Sequence, residues 1–188
     1  MTDGKESMAS GNGAVPTGNS DAETPTNGGG ENAANTPALA INAQYIKDLS
    51  FEAPATPQIF KELQNQQPNI SVHVDVKAEN IAPPAYEVIL SIKAECKIAE
   101  TSAFILELSY GGVFTVNVQE QHLRPVLLIE CPRLLFPFAR QIIAMTTVNG
   151  GFLPLMLGPV DFAGLYQKQV QDQAAAAAPA EDNDAKLV

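Results

Sequence analysis

The chain has 188 residues, of which 45% are hydrophobic and 17% charged, with two cysteines and a formal net charge of −10. That length suits one ordinary globular domain, and the apolar fraction is enough for a real core. An acid excess of this size argues against a nucleic-acid backbone or an anionic membrane surface as the main partner, because both would be repelled.

Residues 1–37 are rich in Gly, Asn and Thr, contain no aromatic residue, and carry Asp3, Glu6, Asp21, Glu23 and Glu31 against Lys5. Such a segment cannot bury enough surface to offset its chain entropy, so a disordered arm is expected there. Lys5 has no apolar stretch behind it, and no secretory signal is expected. A first strand is expected at about 39–49, ended by Pro54 and Pro57, with a short helix at Gln58–Leu63. Ile70, Val72, Val74, Val76 and Ala78 alternate with Ser71, His73, Asp75, Lys77 and Glu79, which reads as a half-buried strand. Tyr86 to Ile98 repeats the alternation, as do Phe104, Leu106, Leu108 and Tyr110. After Gly111-Gly112, where a bulge or turn is expected, it resumes with Phe114, Val116 and Val118. Short connections make these segments an antiparallel meander.

Beyond Val118 the period changes to about 3.6. Leu135, Phe138, Ile142 and Met145 form one stripe of an amphipathic helix, expected to begin near Arg133 or to bend at Pro137 and to end before Gly150-Gly151. A Pro-rich apolar loop, Phe152 to Pro159, leads to a last helix with Asp161 near its N-cap. Residues 171–188, with their alanine run, Pro179 and Asp172, Glu181, Asp182 and Asp184, are expected to be a disordered acidic tail. Strands first and helices second read as α+β: a four-stranded antiparallel sheet with helices on one face, over residues 38–170. The other face or an edge is left for another copy to cover. The apolar run Val126–Met145 is interrupted by Glu130, Arg133 and Arg140, so no direct membrane insertion is expected.

Chemistry is sparse. His73 falls on the polar face of a strand and His122 in a crossover, neither within a catalytic motif. Cys96 reads as a small buried hydrophobe, whereas Cys131, before Pro132 at a helix entrance, is a site where modest thiol activation is conceivable. Neither cysteine belongs to a disulfide framework or a metal-ligand cluster, which suits a reducing, cytoplasmic compartment. No nucleotide, phosphate or zinc-protease motif occurs, and no cofactor or metal is expected. A small α+β enzyme would need His73 or His122 beside a carboxylate in a pocket. Two other features stand out. Leu134-Leu-Phe-Pro-Phe138 and the Phe152–Val160 loop carry more apolar surface than a small domain hides. Either oligomerisation buries it or it forms a groove for extended apolar polypeptide, to which Met145 and Met156 would lend adaptability. Strand parity also sets Asp48, Ser50 and Glu52 on one face, and Ile105 and Glu107 opposite the core row, which gives either an acidic patch for a basic partner or a merely solvated face.

Four segments, in this order, resemble the SecB family of bacterial protein-export chaperones. They are Lys47-Asp-Leu-Ser-Phe-Glu-Ala-Pro54; Ala103-Phe-Ile-Leu-Glu107 with Gly111-Gly112-Val-Phe114; Cys131-Pro-Arg-Leu-Leu-Phe-Pro-Phe-Ala-Arg140; and the Pro154–Pro159 loop with Asp161-Phe162. The resemblance covers about 40–170. It implies a cytoplasmic homotetramer, a dimer of dimers, that holds unfolded precursor proteins without ATP and delivers them to the SecA motor. It also implies that the motor's basic, zinc-bearing tail, whose zinc belongs to the partner, docks at Asp48, Glu52, Ile105 and Glu107. Clients would lie in apolar grooves to which Phe136, Phe138, Phe152, Leu155 and Met156 contribute. A chaperone of this fold dedicated to one specific partner, of antitoxin type, is the alternative. Where family members often carry a Trp before the proline opening the second strand, this chain has Asn65-Gln-Gln-Pro68.

Overall fold

The computed structural model describes residues 37–177, with side chains to residue 174. Of the arm expected at 1–37, residues 1–36 lie outside the described residues, as do residues 178–188 of the tail expected at 171–188. Four long strands, β1 (Leu39–Glu52), β2 (Asn69–Ala82), β3 (Ala85–Ile98) and β4 (Thr101–Val116), make one antiparallel sheet in the order β1-β4-β3-β2. The meander of β2, β3 and β4 is as expected. β1 joins its far side beside β4, which makes the arrangement a Greek key. The connection from β1 to β2 carries the one-turn helix α1 (Ile59–Glu62), which plants the buried Ile59 in the core.

Alternation decides the two faces. Even-numbered residues of β3 and β4, from Val88 to Ile98 and from Phe104 to Val116, point to the helix side and are buried almost throughout. Opposite them runs a helical layer of α2 (Glu120–Pro125), a π-helical segment (Val126–Glu130), α3 (Cys131–Asn149) and α4 (Phe162–Ala177). Asp161 caps α4, its Oδ1 accepting from the Gly164 amide at 3.0 Å. α4 runs into the segment expected to be tail.

Four expectations change. His122 lies in α2, a helix not expected, while α3 begins at Cys131, close to the expected Arg133. Pro137 stays inside α3, where it has no amide to give the Arg133 carbonyl, and both residues lie on the exposed side of the helix. The face of α3 that meets the sheet is the row at spacing four, Cys131, Leu135, Ala139, Ile143 and Thr147, each 0% exposed. Two apolar rows compete for one sheet, so Phe138 and Met145 of the expected stripe face outward. Finally, Gly111-Gly112 is neither bulge nor turn: β4 pairs in unbroken register there on both sides. These glycines serve close approach. A Cβ on Gly111 would sit 2.7 Å from the Tyr45 ring, and one on Gly112 would sit 2.8 Å from Leu135 Cδ2, where α3 rests on the sheet.

The real irregularities are elsewhere. β1 carries two extra residues, Asn42 and Lys47, at register shifts against β4, and β4 carries one, Ala103, against β3. β2 is an edge strand covered by the helices only along part of its length. Val76 is buried, whereas Ile70 and Val72, expected on the buried face, are each 43% exposed. β1 is the other edge, and its Ile41, Ile46 and Leu49 are exposed.

Candidate functional site

The outer sheet face collects the acidic residues. Across β1 and β4, Asp48 lies opposite Ser109, Ser50 opposite Glu107, and Glu52 opposite Ile105. The next strand continues the rows with Ser91 beside Ser109, Lys93 beside Glu107, and Glu95 beside Ile105. The register thus gathers Asp48, Glu52 and Glu107, all exposed, around the half-buried Ile105. Sequence parity alone missed Glu95. Its signal was available in the alternation of β3, but the two-residue connection between Ile98 and Thr101 predicts the wrong pairing until the extra residue at Ala103 is counted. Lys93 donates to Glu107, which holds the Lys93 ammonium above the ordinary lysine range. Lys97 pairs with Glu95 at 3.1 Å. Among the described residues Asp48 and Glu52 form no ion pair. Farther along the same face the Tyr45 hydroxyl and Lys47 both donate to Glu87, the lysine at 2.9 Å.

The helix side is apolar, and the residues named for the client groove divide. Phe136 and Phe152 are each only 9% exposed. Phe152 is locked in an aromatic cluster, its ring centroid 5.0 Å from Phe104 and 5.2 Å from Phe60, and Phe136 lies edge-on to Phe162. Both therefore support the surface and do not line it. Phe138, Met156 and the half-buried Leu155 are accessible. Leu153, 88% exposed and not singled out by sequence, is the most protruding apolar side chain of the loop. Thr147, fully buried, fixes that loop by accepting from the Leu155 amide at 3.0 Å while donating to the Ala144 carbonyl at 2.9 Å. Phe138 stacks on Tyr110, which pairs in register with the exposed Ile46, so α3 and β1 share one apolar face. A groove of 660 Å³ that sequence reasoning also missed runs beside the β2 edge, where the apolar Val76, Ala78, Leu123, Leu127 and Leu128 are interleaved with the charged Asp75, Lys77, Glu79, Glu120, Arg124 and Asp172. Leu123 and Leu127 are one helical turn apart, which was the signal for it.

For the enzyme reading, His73 lines a shallow pocket on the outer face with Asp48, Asp75 and Glu107. His73 and His122 are both exposed, neither hydrogen-bonds a carboxylate among the described residues, and the His122 ring meets only the Gln121 amide at 3.1 Å. Cys131 is not activated: it is fully buried at the first position of α3, and burial, aided by Glu130, pushes its thiol up to about 12. Cys96 is raised by burial too. No helix among the described residues is long and apolar enough to cross a membrane.

Comparison with known proteins bears on the family and the fold. A family model described as preprotein translocase subunit SecB matches residues 32–173. A protein-export protein SecB of Paramagnetospirillum magneticum is 50% identical over 155 residues, covering 82% of this chain and 96% of that protein. One of Bradyrhizobium sp. is 52% identical over 154 residues, covering 80% and 94%. Among solved structures, a SecB-like chaperone of Mycobacterium tuberculosis in complex with an antitoxin peptide shares the fold at 13% identity, with a TM-score of 0.56 over 66% of this chain and 91% of that one. With a family match across most of its length and relatives at half identity, the chain belongs to the SecB family of protein-export chaperones.

Proposed function

We propose that this protein is a cytoplasmic, ATP-independent holdase that takes apolar segments of unfolded precursor proteins out of water and hands them to the SecA motor. The observation that carries the reading is the division of the sheet. Its outer face bears the carboxylates around Ile105, and its helix side bears the accessible Leu153 and Met156 together with the groove at the β2 edge. One molecule can then engage a basic partner and an apolar client at once. Client holding draws on burial of apolar surface, at roughly 25 cal/mol per Å². The β2 edge adds outward-facing main-chain groups for an extended chain, apart from the Val76 carbonyl, which accepts from Gln169. Motor docking draws on charge complementarity at Asp48, Glu52 and Glu107, with Ile105 as the apolar contact.

Assembly as a homotetramer, a dimer of dimers, is part of the proposal. The exposed Ile41, Ile46 and Leu49 of β1 beside Leu134, Phe138 and Met145 of α3 make an apolar face that suits a second copy. Phe138 would then serve assembly before clients. Identity near one half to export proteins, against 13% to the chaperone solved with an antitoxin peptide, favours general export over a single dedicated partner.

The test is Glu107→Lys. Binding of the basic carboxy-terminal segment of SecA should fall at least tenfold, while the protein still delays refolding of a slow-folding precursor. Equal loss of both activities would mean that the patch is structural. Raising the salt concentration should weaken the motor contact and leave client holding nearly unchanged, and the opposite order would sink the division of labour.

A further inference from the structure

We propose that Lys93 is a built-in competitor for the basic partner, occupying Glu107 in the free protein and yielding it only on docking; this rests on the docking reading above. Lys93 and Glu107 are direct cross-strand partners on β3 and β4, and their side chains are 56% and 48% exposed, so the ammonium lies where an incoming cation would have to sit. The other ion-paired lysines of this face are engaged elsewhere, Lys47 on Glu87 and Lys97 on Glu95. Lys93 alone among them holds one of Asp48, Glu52 and Glu107, while Lys97 occupies Glu95 beside Ile105 in the same patch. Glu95 and Glu52 lie close enough to add to its attraction, so it neutralises the centre of the patch.

Docking then proceeds by exchange. Asp48 and Glu52, which have no ion-pair partner among the described residues, receive the first cations, and a further cation trades places with Lys93 at Glu107. An exposed pair of this kind is weak, so the exchange is fast and lowers affinity only a few-fold. The consequence is a contact that releases readily, as repeated hand-over requires. Lys93 is thus a residue that tunes affinity and not one of the docking residues themselves.

A fluorescent synthetic peptide with four Lys or Arg residues around one Leu, titrated by anisotropy against the full-length chain, tests this. Lys93→Met and Lys93→Gln should bind it about two- to fivefold tighter than the natural protein. Glu107→Gln should cost more binding in the Lys93→Met background than in the natural one, because the carboxylate is then unmasked. A merely structural lysine would lower the melting temperature and leave peptide affinity unchanged, and that result would overturn the inference. If Lys93→Met binds no tighter while Glu107→Gln weakens binding, the docking reading stands and the competitor fails. If neither position affects the peptide, the docking reading fails and the competitor with it.

Discussion

The Tyr45 hydroxyl donates to the Glu87 carboxylate over the top of an intervening strand, its ring lying across Gly111. β1 and β3 are not neighbours in the sheet, so this bond and the Lys47–Glu87 pair strap the edge strand to the sheet's interior. The strap depends on the absence of a side chain at position 111. Gly111→Ala places a methyl group 2.7 Å from Tyr45 Cε2, which lifts the ring and breaks its bond to Glu87. The variant should lose roughly 1–3 kcal/mol by denaturant unfolding. Glu87→Gln, which keeps the ring in place, should lose less, and the reverse ranking would show that the ring's position is not what matters.

The same contact sets a pH dependence at both ends of the scale. The Tyr45 bond first, and then Lys47, hold Glu87 below the ordinary carboxylate value. Its contribution to stability is present above the unfolded value of about 4.3 and is lost as pH falls through the lower folded value. Tyr45 is pushed up to about 12, chiefly by that bond. Its contribution is complete below the unfolded phenol value of about 10 and is lost as pH rises through about 12. A tyrosine-ring titration by NMR should show Tyr45 moving back toward about 10 in Glu87→Gln. Tyr110, raised by burial, should not respond.

Thr147 joins the helical layer to the loop that carries Leu153 and Met156. Thr147→Val conserves shape but leaves the Leu155 amide without its acceptor, a loss of about 1–2 kcal/mol. Hydrogen exchange should quicken at Leu155 and its neighbours while β3 and β4 stay protected. Uniform loss of protection would mean that the clamp serves the whole domain.

Because Leu153 and Met156 are 88% and 60% exposed, replacing both by Asp should leave the fold intact. The double variant should bind an unfolded precursor roughly tenfold more weakly, as removal of two apolar contacts implies. The basic peptide should bind as before. Unchanged client binding would move the client surface to the groove at the β2 edge.

Much of this was legible in the residues, and the failures share a cause. Period-two alternation identified β2, β3 and β4 because no irregularity interrupts most of their length. It could not show that Ile70 and Val72 stay exposed, since a strand has the same alternation whether a helix covers it or a partner must. In α3 both apolar rows are strong, and only packing over Gly112 selects Leu135, Ala139 and Ile143 over Phe138 and Met145. Asp48, Glu52, Ile105 and Glu107 were placed on one face correctly because no register shift falls between Asp48 and Glu52. Phe136 and Phe152 misled because an aromatic in an apolar run reads the same whether it lines a surface or lies beneath it.

The two extra residues of β1 decide where that strand can change length. Asn42 and Lys47 each share one partner position with a neighbour, so removing Lys47 leaves Ile46 opposite Tyr110 and Asp48 opposite Ser109. Removing Ser50 does something different: Phe51 would turn to the acidic face and Glu52 toward the helices. The strand behaves as rigid lengths joined at two expansion joints: a residue lost at a joint keeps the facing of its neighbours, at Lys47 with loss of the pair to Glu87, whereas one lost between them reverses it.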